Sequence, residues 1–391
     1  MSKIHSGSAH EKYAVFRGQL EEAIELGSKE ALVTYYQHRI FGYMLEQDIE
    51  EAIIGLVDLA NEGIPSAQGM LSILQASDLG LDANQAKAML NFHFGSFGND
   101  LPARLALANR YHHGLDVPKS CSEAMRHYRF VAARIAEEAK LVTHAPWVVQ
   151  TRIIDEEQKE SDVLDDDEFN YFSYLSETGG VSYQVRLAQL LLQRGFDDDV
   201  AKAAELFQMA SNAGDPKGAA YLGKMYLEGL GVRASNETAF KLFKKSADQG
   251  DPIGQAGMGI MYMEGRSIGA NPKTAVKYFQ ASAEQGYTEG QLRLGMAYMS
   301  GLGGVKKDTH QALKYLRQAS KEYHSGFGNV LAFWYMGEIY APLSCQDATR
   351  YYKFVAELGP WNRLFTHAWK QWKHDKKESA LAIYTYLAEL G

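Results

Sequence analysis

Asn236-Glu237-Thr238 is the one Asn-x-Ser/Thr triplet in the sequence, the acceptor pattern for an N-linked glycan on an exposed segment of a secreted or luminal chain. Ser235, Asn236 and Glu237 are equally the residues that a helix start favours, so capping and glycan acceptance compete for the same place. Cys121 and Cys345 are the two cysteines, each seven residues before an aromatic, Tyr128 and Tyr352. They stand 224 residues apart (345 minus 121). In an extended array that separation would exceed the roughly 7 Å between Cα atoms that a bridge tolerates, so two half-buried thiols are expected. No Cys-x-x-Cys and no nucleophile with a nearby base is present. His112 and His113 are adjacent, so on a helix they diverge by about 100° and do not chelate one metal. The carboxylates between 155 and 168 lack the alternating spacing and glycine of a calcium loop. Gly229 with Gly231, and Gly301 with Gly303, end helical patterns instead of following a strand, which removes the amide cradle of a phosphate loop. The expectation is a chain with no catalytic, cofactor-binding or metal residues, not an enzyme, with Asn236 as its one modification candidate.

The elements that carry these residues repeat. Leu222-Gly223, Met258-Gly259 and Leu294-Gly295 lie 36 residues apart, each followed by a tyrosine, Tyr226, Tyr262 or Tyr298; Met336-Gly337 and Tyr340 return after a longer step. A second column holds Leu56, Phe92, Tyr128, Phe207, Phe243, Phe279, Leu316 and Tyr352. GDPKGAAYLGKMYLEGLG places apolar or small residues on one helical face at 219, 222, 223, 226 and 227, giving a helix A. SNETAFKLFKKSADQG does so at 239, 240, 243 and 247, giving a helix B that begins at Ser235 or Asn236 and stops near Gly250. No segment alternates as a strand does. The fold class is therefore all-α, an α-solenoid of antiparallel helix pairs with a period of about 36 residues. Gly229, Gly265 and Gly301 are expected to end helix A in a left-handed conformation. Gly223, Gly259 and Gly295 fall inside helix A and are expected where it crosses helix B. Exposed A-helix positions such as Lys224 and Arg293 are expected to face a partner on the concave wall.

Along the chain the pattern divides into a helical lead-in at 1–30, N-terminal repeats at 31–138, a divergent acidic connection at 139–168, central repeats at 169–320, a connection at 321–331, and C-terminal repeats at 332–391. In the penultimate segment Gly326 and Gly328 flank Phe327 and make a hinge or a long turn. A hinge there would let terminal repeats exchange between protomers, giving a homodimer. The chain is 46% hydrophobic and 23% charged with a formal charge of −8. That balance provides no basic footprint for nucleic acid or an anionic membrane, and no small-molecule substrate is indicated. The opening residues carry no leader pattern, and no window reaches the roughly 18 apolar residues of a membrane span.

The combination of Leu-Gly, Tyr, Gly-x-Gly, Ala-x-x-Tyr/Phe-Phe and a closing Gly resembles the Sel-1-like repeat, a relative of the tetratricopeptide repeat, above all over residues 183 to 320. AYLGKMYLEG, AVKYFQASAEQGYTEGQLRLG and KSCSEAMRHYRFVA look like the luminal Sel-1 group within that family, over roughly residues 31 to 391. The resemblance implies a scaffold of the endoplasmic reticulum lumen that links a Hrd-type membrane ubiquitin ligase to lectins and misfolded glycoproteins in ER-associated degradation. Members of this group also have a signal peptide, further repeats and a membrane anchor. The last segment, IYTYLAELG, ends on a helix B whose apolar face is expected to wait for the next repeat. The expectation is therefore a truncated piece of a longer luminal adaptor; were the chain complete, a soluble cytosolic Sel-1-like scaffold for signalling or assembly partners is the alternative.

Overall fold

Asp215-Pro216 and Asp251-Pro252 show how a repeat begins. Each aspartate sits in an extended conformation and accepts from backbone amides of the first turn, Asp215 from Gly218 at 2.6 Å and Asp251 from Gly254 at 3.1 Å. The proline that follows has no amide to leave unpaired and a backbone angle already set for helix. At the far end, Gly229 closes helix A with φ +74°, returning its amide to Met225. Helix B then opens on Ser235, whose Oγ accepts from Thr238. Ser235, not Asn236, is the cap.

The computed structural model describes residues 15–141, 166–177, 180–194, 197–321 and 327–391. Its helices are α1 (Lys29–Phe41), α2 (Ile49–Asn61), α3 (Pro65–Ser77), α4 (Gln85–Phe97), α5 (Leu101–His113), α6 (Cys121–Leu141), α7 (Asp166–Glu177), α8 (Val181–Arg194), α9 (Asp197–Asn212), α10 (Pro216–Glu228), α11 (Asn236–Ala247), α12 (Pro252–Glu264), α13 (Pro272–Glu284), α14 (Thr288–Ser300), α15 (Thr309–Ala319), α16 (Phe327–Tyr340), α17 (Cys345–Glu357), α18 (Asn362–Lys373) and α19 (Lys377–Leu390). Residues 15–25 are also helical, and the described residues contain no strand. The architecture is the all-α array of helix pairs that the period requires. Most of the acidic connection, residues 142–165, lies outside the described residues, as does Gly326. Gly328 falls in the first turn of α16, where it continues a helix and turns nothing.

The chain forms two compact units, Met1–Ile135 with Tyr352–Gly391, and Ala136–Tyr351. In the second unit the pairs α8/α9, α10/α11, α12/α13 and α14/α15 pack in succession. A Cβ on Gly223 would stand 3.1 Å from Phe243, one on Gly259 2.4 Å from Phe279, and one on Gly295 3.0 Å from Leu316. These helix-A glycines thus meet the large residue of helix B in the same repeat. The core is a series of linked clusters, such as Phe243 with Ala239, Met258 and Met261, and Phe279 with Ala275, Leu294 and Ala297. The recurring tyrosines join this packing. Tyr262 stacks on Tyr278 with ring centroids 5.8 Å apart, and Tyr298 on Tyr315 at the same separation.

The first unit differs from a straight array. Its last helix, α19, packs against α1, α3 and α5, burying Ala380, Ala382, Ile383, Tyr386 and Leu390. Tyr386 meets the edge of Phe41 at 5.1 Å, Ser379 donates to Gln47 at 3.2 Å, and Glu389 pairs with Arg110. The apolar face expected to wait for another repeat is covered by the chain's own N-terminal helices.

A second expectation falls with it. Neither Cys121 nor Cys345 is a free thiol; both are disulfide-bonded. The expectation of two thiols equated distance along the sequence with distance along a straight array. A chain whose residues 352–391 return to pack on residues 29–113 does not obey that equation.

Asp100 gives the first unit a pH dependence. It caps α5, accepting from Ala103 at 2.9 Å, and lines a cavity with Glu30, Ser66, Trp361 and Tyr386. Burial pushes its carboxyl up to about 7, opposed by the Ala103 amide and reinforced by Glu30. The folded state therefore holds this proton where the unfolded chain has lost it, and the stability it contributes falls as pH rises from about 4 to 7. Asp100→Asn keeps the cap and removes the charge. Relative to the native chain it is expected to be near neutral in stability at pH 4, and more stable at pH 8 by about 2–4 kcal/mol, at roughly 1.4 kcal/mol per pKa unit. Chemical denaturation at the two pH values measures the difference; an equal effect at both contradicts it.

Candidate protein-binding groove

Helix A of successive repeats lines a groove in the second unit. Each contributes residues of its inner face: Lys224, Leu227 and Glu228 from α10; Ile253, Ile260 and Glu264 from α12; Glu289, Arg293 and Met296 from α14; and Tyr335 from α16. Phe243, Ala256, Gly257, Leu292 and Leu331 form the floor. Packing of each A helix on the next sets these faces side by side. The enclosed volume is about 380 Å³.

The floor is dry and the rim is charged. Phe243 is 2% exposed and Leu292 fully buried, while Leu227, Ile253, Ile260 and Met296 are half-buried with one side open. Arg293 donates from Nε to Glu289 at 2.7 Å, an i to i+4 pair whose side chains are 30% and 18% exposed. Glu289 holds the guanidinium even more firmly protonated than usual, against the cost of burial. Burial raises Tyr335 and raises Tyr287 well above the ordinary tyrosine range, so both present neutral hydroxyls near neutral pH. Glu264 is paired on the outer edge with Arg266 at 2.6 Å. Such a surface offers apolar slots and fixed polar groups to a partner chain, which is what an interface of modest contacts needs.

Lys224 and Arg293, expected as exposed A-helix positions, both lie in this groove and are half-buried. Arg293 is tied to Glu289, a residue the sequence reading passed over although a glutamate four residues before an arginine on one helix signals such a pair. Tyr287 and Tyr335 were also missed, because neither belongs to the repeating columns. Asn236 stands outside the groove at the start of α11 and is exposed. Gly229, Gly265 and Gly301 close α10, α12 and α14 with φ of +74°, +70° and +76°. His112 and His113 sit edge to face with ring centroids 4.7 Å apart. Among the described residues no group of three or more His, Cys, Asp or Glu is placed to hold a metal ion. Among them, too, no helix is long and apolar enough to cross a membrane.

Comparison with known proteins places these repeats. A family model, "Sel1 repeat", matches residues 101–133, 181–215, 216–251, 252–287 and 288–324. Over 194 residues the chain is 37% identical to rat "Protein sel-1 homolog 2", covering 48% of this chain and 28% of that one. It is 25% identical over 223 residues to the Arabidopsis thaliana "ERAD-associated E3 ubiquitin-protein ligase component HRD3B", covering 47% of this chain and 36% of that one. The chain thus spans about a third or less of the length of these relatives. Among solved structures, the Escherichia coli antigen c5321, described as displaying an SLR fold, aligns over 94% of this chain and 78% of its own at 21% identity and a TM-score of 0.42.

Proposed function

Because Sel1 repeats occupy residues 101–133 and 181–324 of this chain, we propose that it is a non-catalytic adaptor of ER-associated degradation, holding misfolded glycoprotein clients and lectins near a Hrd-type membrane ubiquitin ligase. The groove of the second unit carries the reading: a continuous wall of helix-A side chains, apolar below and charged above, suits capture of another protein. Holding two proteins together raises their effective concentration and needs no chemistry of its own. The name of the Arabidopsis relative supports the pathway, since that protein is an ERAD-associated ligase component. The disulfide-bonded state of both cysteines supports the lumen, because such bonds persist in oxidising compartments and are rare in the cytosol. It also weighs against the alternative of a cytosolic signalling scaffold.

Ile260 tests the groove. It is half-buried on α12, packed on one side against the Phe279 cluster and lining the groove on the other, so Ile260→Glu sets a charge on the docking wall. In capture from detergent-solubilised ER membranes, the native chain is expected to bring down a Hrd-type ligase together with a misfolded luminal glycoprotein. Ile260→Glu is expected to reduce the recovered client by about tenfold or more, the loss of a contact worth over 1.4 kcal/mol. Its helical circular dichroism at the temperature of capture should match that of the native chain. Equal recovery by the two chains contradicts the groove as the client surface; absence of ligase from the native capture contradicts the adaptor role.

A further inference from the structure

The sequence leaves Asn236 poised between helix cap and glycan acceptor, and the structure separates the two. Ser235 is the cap of α11: it lies in an extended conformation and its Oγ accepts from the Thr238 amide at 3.2 Å. Asn236 follows as the first helical residue and is exposed. Its carboxamide is therefore not spent on starting the helix. The corresponding starts of the next two repeats differ in this respect. Asn271 is itself the cap of α13, accepting from Thr274 at 3.1 Å, and Asp308 is the cap of α15, accepting from Gln311 at 3.0 Å. Of these three helix starts, only that of α11 has an asparagine one place past the cap with a threonine two residues beyond it.

We infer that Asn236 carries an N-linked glycan; this rests on the luminal location proposed above. The donor is a lipid-linked oligosaccharide pyrophosphate. The Asn236 Nδ2 forms a bond to the anomeric carbon, the bond from that carbon to the pyrophosphate oxygen breaks, the lipid pyrophosphate leaves, and the amide proton passes to the transferase. In the folded chain the Thr238 hydroxyl is engaged with Ser235 Oγ at 2.9 Å, and Asn236 is already helical. Transfer therefore takes place before α11 forms, when that hydroxyl and an extended backbone are available to the enzyme. Once folded, the exposed first residue of α11 lets the sugar project into solvent without displacing core. The turn from α10 to α11 is then an edge that a bulky glycan keeps clear of partners, which leaves the helix-A groove for them.

The test uses the endogenous protein in sealed microsomes, treated with protease, with and without detergent, and then with a glycan-removing amidase. The expected result is protection that only detergent abolishes, together with one step of increased mobility on amidase treatment and conversion of Asn236 to Asp in the peptide read by mass spectrometry. Asn236→Gln and Thr238→Ala should each lose the step completely while Thr238→Ser keeps it, and Asn236→Gln should melt with the native chain. A protected chain with no mobility step overturns the glycan and leaves the location intact. Digestion without detergent overturns both.

Discussion

Gly259→Val is expected to destabilise the second unit by about 3 kcal/mol, at the upper end of the usual cost of overpacking a core. Even the first added carbon would lie 2.4 Å from Cε1 of Phe279, a ring that is 1% exposed and fixed among Ala275, Val276, Leu294 and Ala297. The ring has no open side to move into, so the two helices must separate or the ring must leave its rotamer. The gain in helix propensity from replacing glycine is below about 1 kcal/mol and does not offset this. For a unit of this size the corresponding fall in the midpoint of the second unit's own transition, followed by amide exchange of α12 and α13 on heating, is about 6–12 °C. Gly223→Ala should cost less, since its added carbon meets Phe243 at 3.1 Å, and Gly269→Ala should cost least, since nothing lies within 4 Å of its position. A melting curve for Gly259→Val that overlays the native one contradicts the assignment of this glycine to the helix crossing.

Glu389→Ala is expected to loosen the return of the C-terminal helix onto the first unit. Arg110 is 4% exposed and is held between Asp116 at 2.8 Å and Glu389, with its guanidinium 4.8 Å from the centre of the Phe92 ring. Burial raises the Glu389 carboxyl and the charge of Arg110 opposes that rise, so the pair is formed at a site where neither ion is fully hydrated. Removing Glu389 leaves a nearly dry guanidinium with one partly exposed partner, a change that costs about 3 kcal/mol when a buried pair is broken from one side. Because the chain holds two units, a single unfolding midpoint does not isolate the effect. Amide exchange in α19 and α5 does: both should exchange about 100-fold faster in Glu389→Ala, by the roughly 1.4 kcal/mol that corresponds to each factor of ten. The double variant Arg110→Met with Glu389→Leu, which removes both charges, should restore much of the protection. Unchanged exchange in Glu389→Ala contradicts the account of the closure.

These two sites also mark what the sequence discloses and what it hides. Gly259 and Phe279 belong to columns that repeat every 36 residues, so their meeting is implied by a period that any local window can register. The same holds for Gly229 closing α10 and for the inward face that brings Lys224 and Arg293 into one groove. Arg110 and Glu389 are 279 residues apart and belong to no column. Nothing in either neighbourhood encodes the other, because an ion pair across the fold leaves no periodic trace. The same blindness produced the expectation of two free thiols and of an open apolar face on α19. Within the groove, the repeating positions were legible, whereas Tyr287 and Tyr335 depend on how one repeat seats on the next. At Asn236 the residue types suited two roles, and only the backbone showed which residue had taken the cap.

The central proposal is that this chain, through its Sel1 repeats, serves degradation by holding clients in the helix-A groove. Its most direct test is the half-life of a misfolded luminal glycoprotein in cells depleted of the protein, restored with the native chain or with Ile260→Glu. The account predicts slowed turnover on depletion, recovery with the native chain, and little recovery with Ile260→Glu at equal abundance. Turnover that depletion leaves unchanged, or that Ile260→Glu restores in full, would contradict it.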